Sequence, residues 1–67
     1  MKLSARNQLS AKVVRVEEGA VTTLVELDVQ GQRLVSSITA EAARELGLAE
    51  GQEVTAIVKA SDVMIGV

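Results

Sequence analysis

The chain has 67 residues and contains no cysteine, histidine, proline or aromatic residue. A chain this short forms one domain at most and buries only about 60% of its unfolded surface, so further copies of it are the expected supplement to its core. Without thiols or imidazoles the commonest catalytic and structural-metal sites are absent, and seven Lys and Arg against nine Asp and Glu, a net charge of −2, argue against a nucleic-acid partner. We therefore expect a single non-enzymatic domain over residues 1–67.

The first half of the chain is predicted to form three strands. Residues 9–17 are rich in valine, and their apolar positions change parity at Val13 and Val14, which indicates a β-bulge. Residues 21–29 alternate apolar and polar side chains, which predicts a strand with one buried face. The dipeptide Gln30-Gly31 separates this strand from residues 32–37 and predicts a tight hairpin.

The second half is predicted to hold one helix and two further strands. The helix covers residues 39–46, with Thr39 as its N-cap, Gly47 as the left-handed residue after it, and Ile38, Ala42 and Leu46 as its apolar stripe. Residues 53–59 and 63–67 have the composition of strands. Five strands with one helix between the third and fourth predict an all-β fold, a five-stranded barrel of the oligonucleotide/oligosaccharide-binding (OB) type, because closure removes exposed strand edges.

The sequence also bears on where the protein resides. No apolar stretch is long enough to span a bilayer, and Met1-Lys2-Leu3 is followed by polar residues where a signal peptide has its apolar core. We expect a cytoplasmic protein without a membrane partner.

Residues 4–8, Ser4-Ala5-Arg6-Asn7-Gln8, form the segment least explained by folding. They place a hydroxyl, a guanidinium and two amides ahead of the first apolar alternation. The guanidinium offers a fixed fork of N–H donors with a permanent charge, and hydroxyl, amide and backbone N–H groups add further donors, which together suit a small oxyanion. A solvated, frayed terminus is the alternative, and composition alone favours it.

A second polar group, Lys59-Ala60-Ser61, falls where a strand is expected to end in a turn. Backbone N–H groups are often unpaired at such a place, and here an ammonium and a hydroxyl stand beside them; a solvated strand-end lysine is the alternative. Thr39 opens the helix, where free N–H groups attract anions, although taken alone its role as an N-cap is much the stronger explanation. In a small barrel, or across two copies, the first and fourth strands could bring Arg6 and Lys59 to one ligand.

Taken together, these segments resemble the molbindins, the small molybdate-binding Mop proteins, and the related domain of molybdate-responsive regulators. The resemblance covers the whole chain, and these segments carry it: Ser4-Ala5-Arg6-Asn7-Gln8, the valine-rich hairpin, Ile38-Thr39-Ala40, Leu46-Gly47-Leu48 with Gly51, and Lys59-Ala60-Ser61. It implies an OB-like barrel that assembles as a homohexamer and binds oxyanions where subunits meet.

The resemblance also implies a ligand and a set of residues that bind it. The ligand is molybdate or tungstate, with no organic cofactor and no metal ion coordinated directly by the protein, because the metal arrives enclosed in its four oxygens. The implied oxyanion-binding residues are Ser4, Ala5, Arg6 and Asn7 of one chain, facing Lys59, Ala60 and Ser61 of another, with a hydroxyl from Thr39. Ala42 stands where the regulators have a serine, which removes one donor.

Two functions from different classes remain open at this point. The first is cytoplasmic molybdate binding, storage and homeostasis. The second is a DNA-binding swapped-hairpin module of the AbrB/antitoxin kind, since residues 38–54 look very similar to the helix-turn-strand segment of those proteins. Duplex binding requires a basic surface, and the acidic net charge argues against it.

Overall fold

The computed structural model describes residues 1–67 and shows one curved antiparallel sheet with a short helix. The elements are β1 (Asn7–Glu18), β2 (Thr22–Val29), β3 (Gln32–Thr39), α1 (Ala40–Leu46), β4 (Glu53–Val58) and a 3₁₀ turn at Ala60–Asp62. The strand order is β3-β2-β1-β4, so β3 and β4 are the two edges of the sheet. No helix has the length and apolarity needed to cross a bilayer.

The predicted bulge and hairpin are confirmed. The pairing of β1 with β2 shifts register between Val13 and Arg15, which leaves Val14 as the extra residue. In the hairpin, Gln30 and Gly31 have φ values of 50° and 87°, and the flanking residues Val29 and Gln32 pair with each other. Positive φ at both central residues matches the right-handed twist of the two strands.

The bulge allows β1 to pair with two different strands along its length. Its second half pairs with β2 and its first half with β4, and Lys12 is paired with both Asp28 and Glu53. The peptide group of Val13 is held by the loop before β4, donating to the Gln52 carbonyl at 2.9 Å and accepting from the Gly51 N–H at 2.8 Å. A bulged strand bends and twists more strongly, and the sheet therefore curls around its apolar face.

The predicted five-stranded barrel is wrong for a single chain. Residues 63–67, expected to be the fifth strand, form no pair within the chain and are exposed, with Met64 at 92% and Ile65 at 87% exposure. The core is small: Ala11, Val13, Val25, Leu27 and Ala56 form one buried cluster. The curled sheet consequently leaves an open apolar groove of about 770 Å³ between its two edges.

The predicted apolar stripe of α1 is correct only in part: Ile38 packs against the core and Ala42 is half-buried, but Leu46 is not buried. The helix buries Ala40 and Ala43, whereas Leu46 is 64% exposed. The N–H of Ala40 donates to the Val21 carbonyl at 2.8 Å, so the start of the helix lies against the start of β2 and only small side chains fit between them. The two ends are as predicted, with Thr39 as N-cap and Gly47 in the left-handed conformation at φ 62°.

Thr23 offers a test of this packing, because it is fully buried and its Oγ1 has no hydrogen-bond partner. A buried hydroxyl without a partner costs about 1–3 kcal/mol, so Thr23→Val, which preserves the shape, is expected to raise the free energy of unfolding by about 1 kcal/mol. Denaturant unfolding measures the change. Thr22→Val, at the exposed neighbouring position, is the matched control and should leave stability unchanged.

Candidate functional site

The pairing of β1 with β4 brings the two predicted polar segments together. Asn7 and Val58 form the last pair of this ladder, and the strands are antiparallel. The residue before Asn7 is Arg6, and the residue after Val58 is Lys59, so both cations lie one position beyond the same end of the ladder. The structure therefore brings the near ends of the two segments, Arg6 and Lys59, to the same end of the ladder within a single chain.

Neither of these cations has a counter-ion in the chain. The ion pairs join Arg15 to Glu17 at 3.1 Å and Arg33 to Glu26 at 2.6 Å, on the outer surface of the sheet. Arg6 and Lys59 are exposed and take part in neither. Two neighbouring positive charges without an internal partner are free to bind an external anion.

The turn that follows β4 adds hydrogen-bond donors to this end of the sheet. Within it, the Asp62 N–H donates to the Lys59 carbonyl at 2.9 Å and the Val63 N–H donates to the Ala60 carbonyl at 3.3 Å. Ala60 and Ser61 begin the turn, and their own N–H groups are not used by it. On the other strand, Ser4 is exposed and Ala5 is half-buried just ahead of Arg6.

Asn7 is the residue of this group whose side chain makes a hydrogen bond within the chain. It is half-buried, and its Nδ2 donates a hydrogen bond to the Val58 carbonyl at 3.1 Å. Gln8, the neighbouring amide, is exposed, pairs with Ile57 and makes no side-chain hydrogen bond. Successive residues of a strand face opposite sides, which is why only one of the two amides reaches β4 in this way.

Thr39 lies elsewhere in the chain. It pairs with Thr22 at the end of the sheet where Glu18 pairs with Thr23, so the length of β1 separates it from Asn7. Its Oγ1 accepts a hydrogen bond from the N–H of Ala42 at 3.1 Å. Within one chain the structure does not bring Thr39 to the cluster of Arg6 and Lys59.

Sequence reasoning missed two features of the molecule. The first is the bond between Asn7 and Val58, for which no local pattern is a signal because it depends on the register of β1 against β4. The second is a polar cleft in which Lys12 lies between Asp28 and Glu53, where the strands diverge at the bulge. Since Lys12 is paired with one residue from each neighbour, its double role follows from the bulge rather than from its sequence context.

The fold is that of a small β protein, and the cations and hydrogen-bond donors at one end of its sheet are groups that suit an anion. A family model described as the TOBE domain matches residues 3–65, and the chain belongs to this family. Among curated relatives, a probable molybdenum-pterin-binding protein of Haemophilus influenzae is 48% identical, over 100% of this chain and 99% of the relative. Within the family, the chain is thus a member of the small Mop, or molbindin, group that its sequence resembles.

Solved structures agree with this assignment. A molybdate-binding protein from Sporomusa ovata superposes with a TM-score of 0.96 at 37% identity, covering 100% of both chains. The cytoplasmic molybdate-binding protein ModG, in its molybdate-bound form, gives a TM-score of 0.86 at 46% identity, over 90% of this chain and 43% of that one. The architecture, mostly β with one short helix, is consistent with the OB-like fold of these proteins. The relatives do not favour the DNA-binding alternative.

Proposed function

We propose that this protein is a non-enzymatic molybdate-binding protein of the cytoplasm that stores the oxyanion and maintains its supply. The observation that carries the proposal is the placement of Arg6 and Lys59, both without a counter-ion, at one end of the β1–β4 ladder. Molybdate is a tetrahedral dianion that needs donors on several sides, and two cations with hydroxyl and backbone N–H groups around them meet that need. The similar proteins described as binding molybdate support this choice of anion.

The proposed site consists of the residues that the fold collects at this end of the sheet. Arg6 and Lys59 supply charge, Ser4 and Ser61 supply hydroxyl groups, and backbone N–H groups complete the shell. The segments that form it are Ser4, Ala5, Arg6 and Asn7 on one side and Lys59, Ala60 and Ser61 on the other, with Thr39 from another copy. Asn7 belongs to the site through its position at the end of the ladder, since its Nδ2 is bonded to the Val58 carbonyl. Tungstate has the same shape and charge and is expected to compete for the site.

The role proposed for Thr39 requires a second copy of the chain, because Arg6 and Lys59 of the same chain lie at the other end of β1. As a helix cap, its oxygen accepts from the Ala42 N–H. The hydroxyl hydrogen is not used by the cap and can donate to an anion. Thr39 can therefore cap its own helix and contribute to a site at an interface.

Two exposed apolar features of the single chain further support an oligomer. β3 and β4 leave an apolar groove open between them, and residues 63–67, which follow the turn at Ala60–Asp62, have exposed apolar side chains. Open edges and exposed apolar segments are features that proteins normally cover. We infer that residues 63–67 of one copy complete the barrel of another as its fifth strand, within the homohexamer that the resemblance implies.

Calorimetric titration of the full chain with sodium molybdate tests the proposed function. Saturable binding is expected, with an affinity that changes little from about pH 6 to 8, because the chain has no histidine to titrate in that range. Native mass spectrometry of the same sample gives the number of chains and of bound anions. Absence of binding, or a steep loss of affinity across that pH range, contradicts the proposal.

A further inference from the structure

The side chain of Asn7 is already engaged with its own chain. Of the hydrogen bonds that side chains make in this protein, the bond from Asn7 Nδ2 to the Val58 carbonyl is the one that joins distant parts of the sequence, 51 positions apart. It closes the last pair of the β1–β4 ladder, and beyond it the chain continues into Arg6 on one side and Lys59 on the other.

The position of this bond matters because two residues of like charge, Arg6 and Lys59, follow the last pair of the ladder. Two like charges opposite each other on neighbouring strands destabilise the pairing. Since neither cation has a counter-ion in the chain, repulsion between Arg6 and Lys59 acts to open the end of the ladder when no anion is bound. The bond made by Asn7 opposes that opening.

We propose that Asn7 is a positioning residue: its side chain holds the segment of Lys59 and the following turn against Arg6 and makes no contact with the oxyanion. This inference rests on the proposed function, because it assigns a role within the same site. It differs from the two simpler roles, a direct ligand and a general stabiliser of the fold, in what it predicts for paired substitutions.

A double-mutant cycle between Asn7 and Lys59 separates these roles. Molybdate affinity is measured by calorimetry for the wild type, for Asn7→Ala, for Lys59→Ala and for the double variant. Asn7→Ala alone is expected to weaken binding about fivefold, as the loss of one hydrogen bond allows the ladder end to open. In the Lys59→Ala background the same change is expected to have less than about half of this effect, since coupled residues are not additive.

Gln8→Ala is the matched control for this cycle. It removes a side-chain amide from the adjacent residue of the same strand, but this amide is exposed and has no hydrogen-bond partner. Its affinity for molybdate should equal that of the wild type. Denaturant unfolding of each variant shows whether an affinity change accompanies a loss of folded protein.

A measurement on the unaltered protein makes the test independent of how the variants fold. In the nuclear magnetic resonance spectrum, the side-chain NH₂ signals of Asn7 should move little when molybdate is added, because its partner is the Val58 carbonyl in both states. If Asn7→Ala lowers molybdate affinity equally in the wild-type and Lys59→Ala backgrounds, or if these signals shift strongly, Asn7 is a direct ligand and the proposal is wrong. Unchanged affinity of Asn7→Ala makes it a structural residue only. Absence of molybdate binding by the wild type overturns the proposed function itself.

Discussion

Replacing Arg6 with alanine is expected to weaken molybdate binding by about 10- to 100-fold while leaving the fold intact. Hydrogen bonds to charged groups contribute about 1.5–3 kcal/mol each, and Arg6 supplies one of the two cations at this end of the sheet. The residue precedes β1 and is exposed, so its side chain contributes little to the core. Calorimetric titration gives the affinity, and denaturant unfolding verifies the fold.

Arg15→Ala is the control for this substitution. It removes the same charge from the same chain, but from an exposed ion pair with Glu17 on the outer surface of the sheet. Exposed ion pairs contribute little to stability, so neither the fold nor the affinity should change markedly. If both variants lose affinity equally, net charge rather than a local site is responsible, and if Arg6→Ala binds as the wild type does, the assigned site is wrong.

The parts of the fold that the sequence predicted correctly are those with a local cause. The alternation along β2 predicted its buried face, and Thr23, Val25 and Leu27 are indeed buried. The parity change at Val13 predicted the bulge, and Gln30-Gly31 predicted the hairpin. In each case the determining interaction lies within a few residues, so a single sequence is sufficient to predict it.

The errors concern features set by groups distant in the chain. The expected stripe of α1 followed the largest apolar residues, but the close approach of the helix to β2 selects Ala40 and Ala43 for burial. Residues 63–67 have the composition of a strand, yet a strand also needs a partner edge, and none in the same chain is paired with them. Composition predicted a fifth strand here, and within the single chain the segment forms none.

For the candidate site, the sequence supplies the residue types but not their geometry. The donors of Ser4, Arg6 and Lys59 suit an oxyanion, but composition alone favoured a solvated terminus, and the resemblance to the molbindins supplied the assignment. The adjacency of Arg6 and Lys59 within one chain depends on the register that pairs Asn7 with Val58, and no local pattern encodes that register. Likewise Asn7 and Gln8 carry the same amide group, but Asn7 makes a half-buried hydrogen bond to β4 whereas the amide of Gln8 is solvated.

Ile65→Asp is expected to convert the proposed oligomer to single chains. In an isolated chain Ile65 is 87% exposed, so an aspartate there costs almost nothing. As part of an exchanged strand, alternate residues of the extended segment, Val63, Ile65 and Val67, face the apolar groove, and each contributes roughly 1.5–3 kcal/mol when buried. A carboxylate in that groove has no partner charge and opposes docking. Native mass spectrometry should show the monomer where the wild type shows an oligomer.

Met64→Asp is the matched control, because it introduces the same charge one residue away in an equally exposed position. On an exchanged strand Met64 faces away from the groove, and its substitution should preserve the assembly. If the exchanged strand is also what brings Thr39 of one copy to the cations of another, Ile65→Asp will lower molybdate affinity together with the mass, whereas Met64→Asp will change neither. An Ile65→Asp variant that keeps the wild-type mass excludes strand exchange through this segment, and the apolar groove between β3 and β4 must then be covered by another surface.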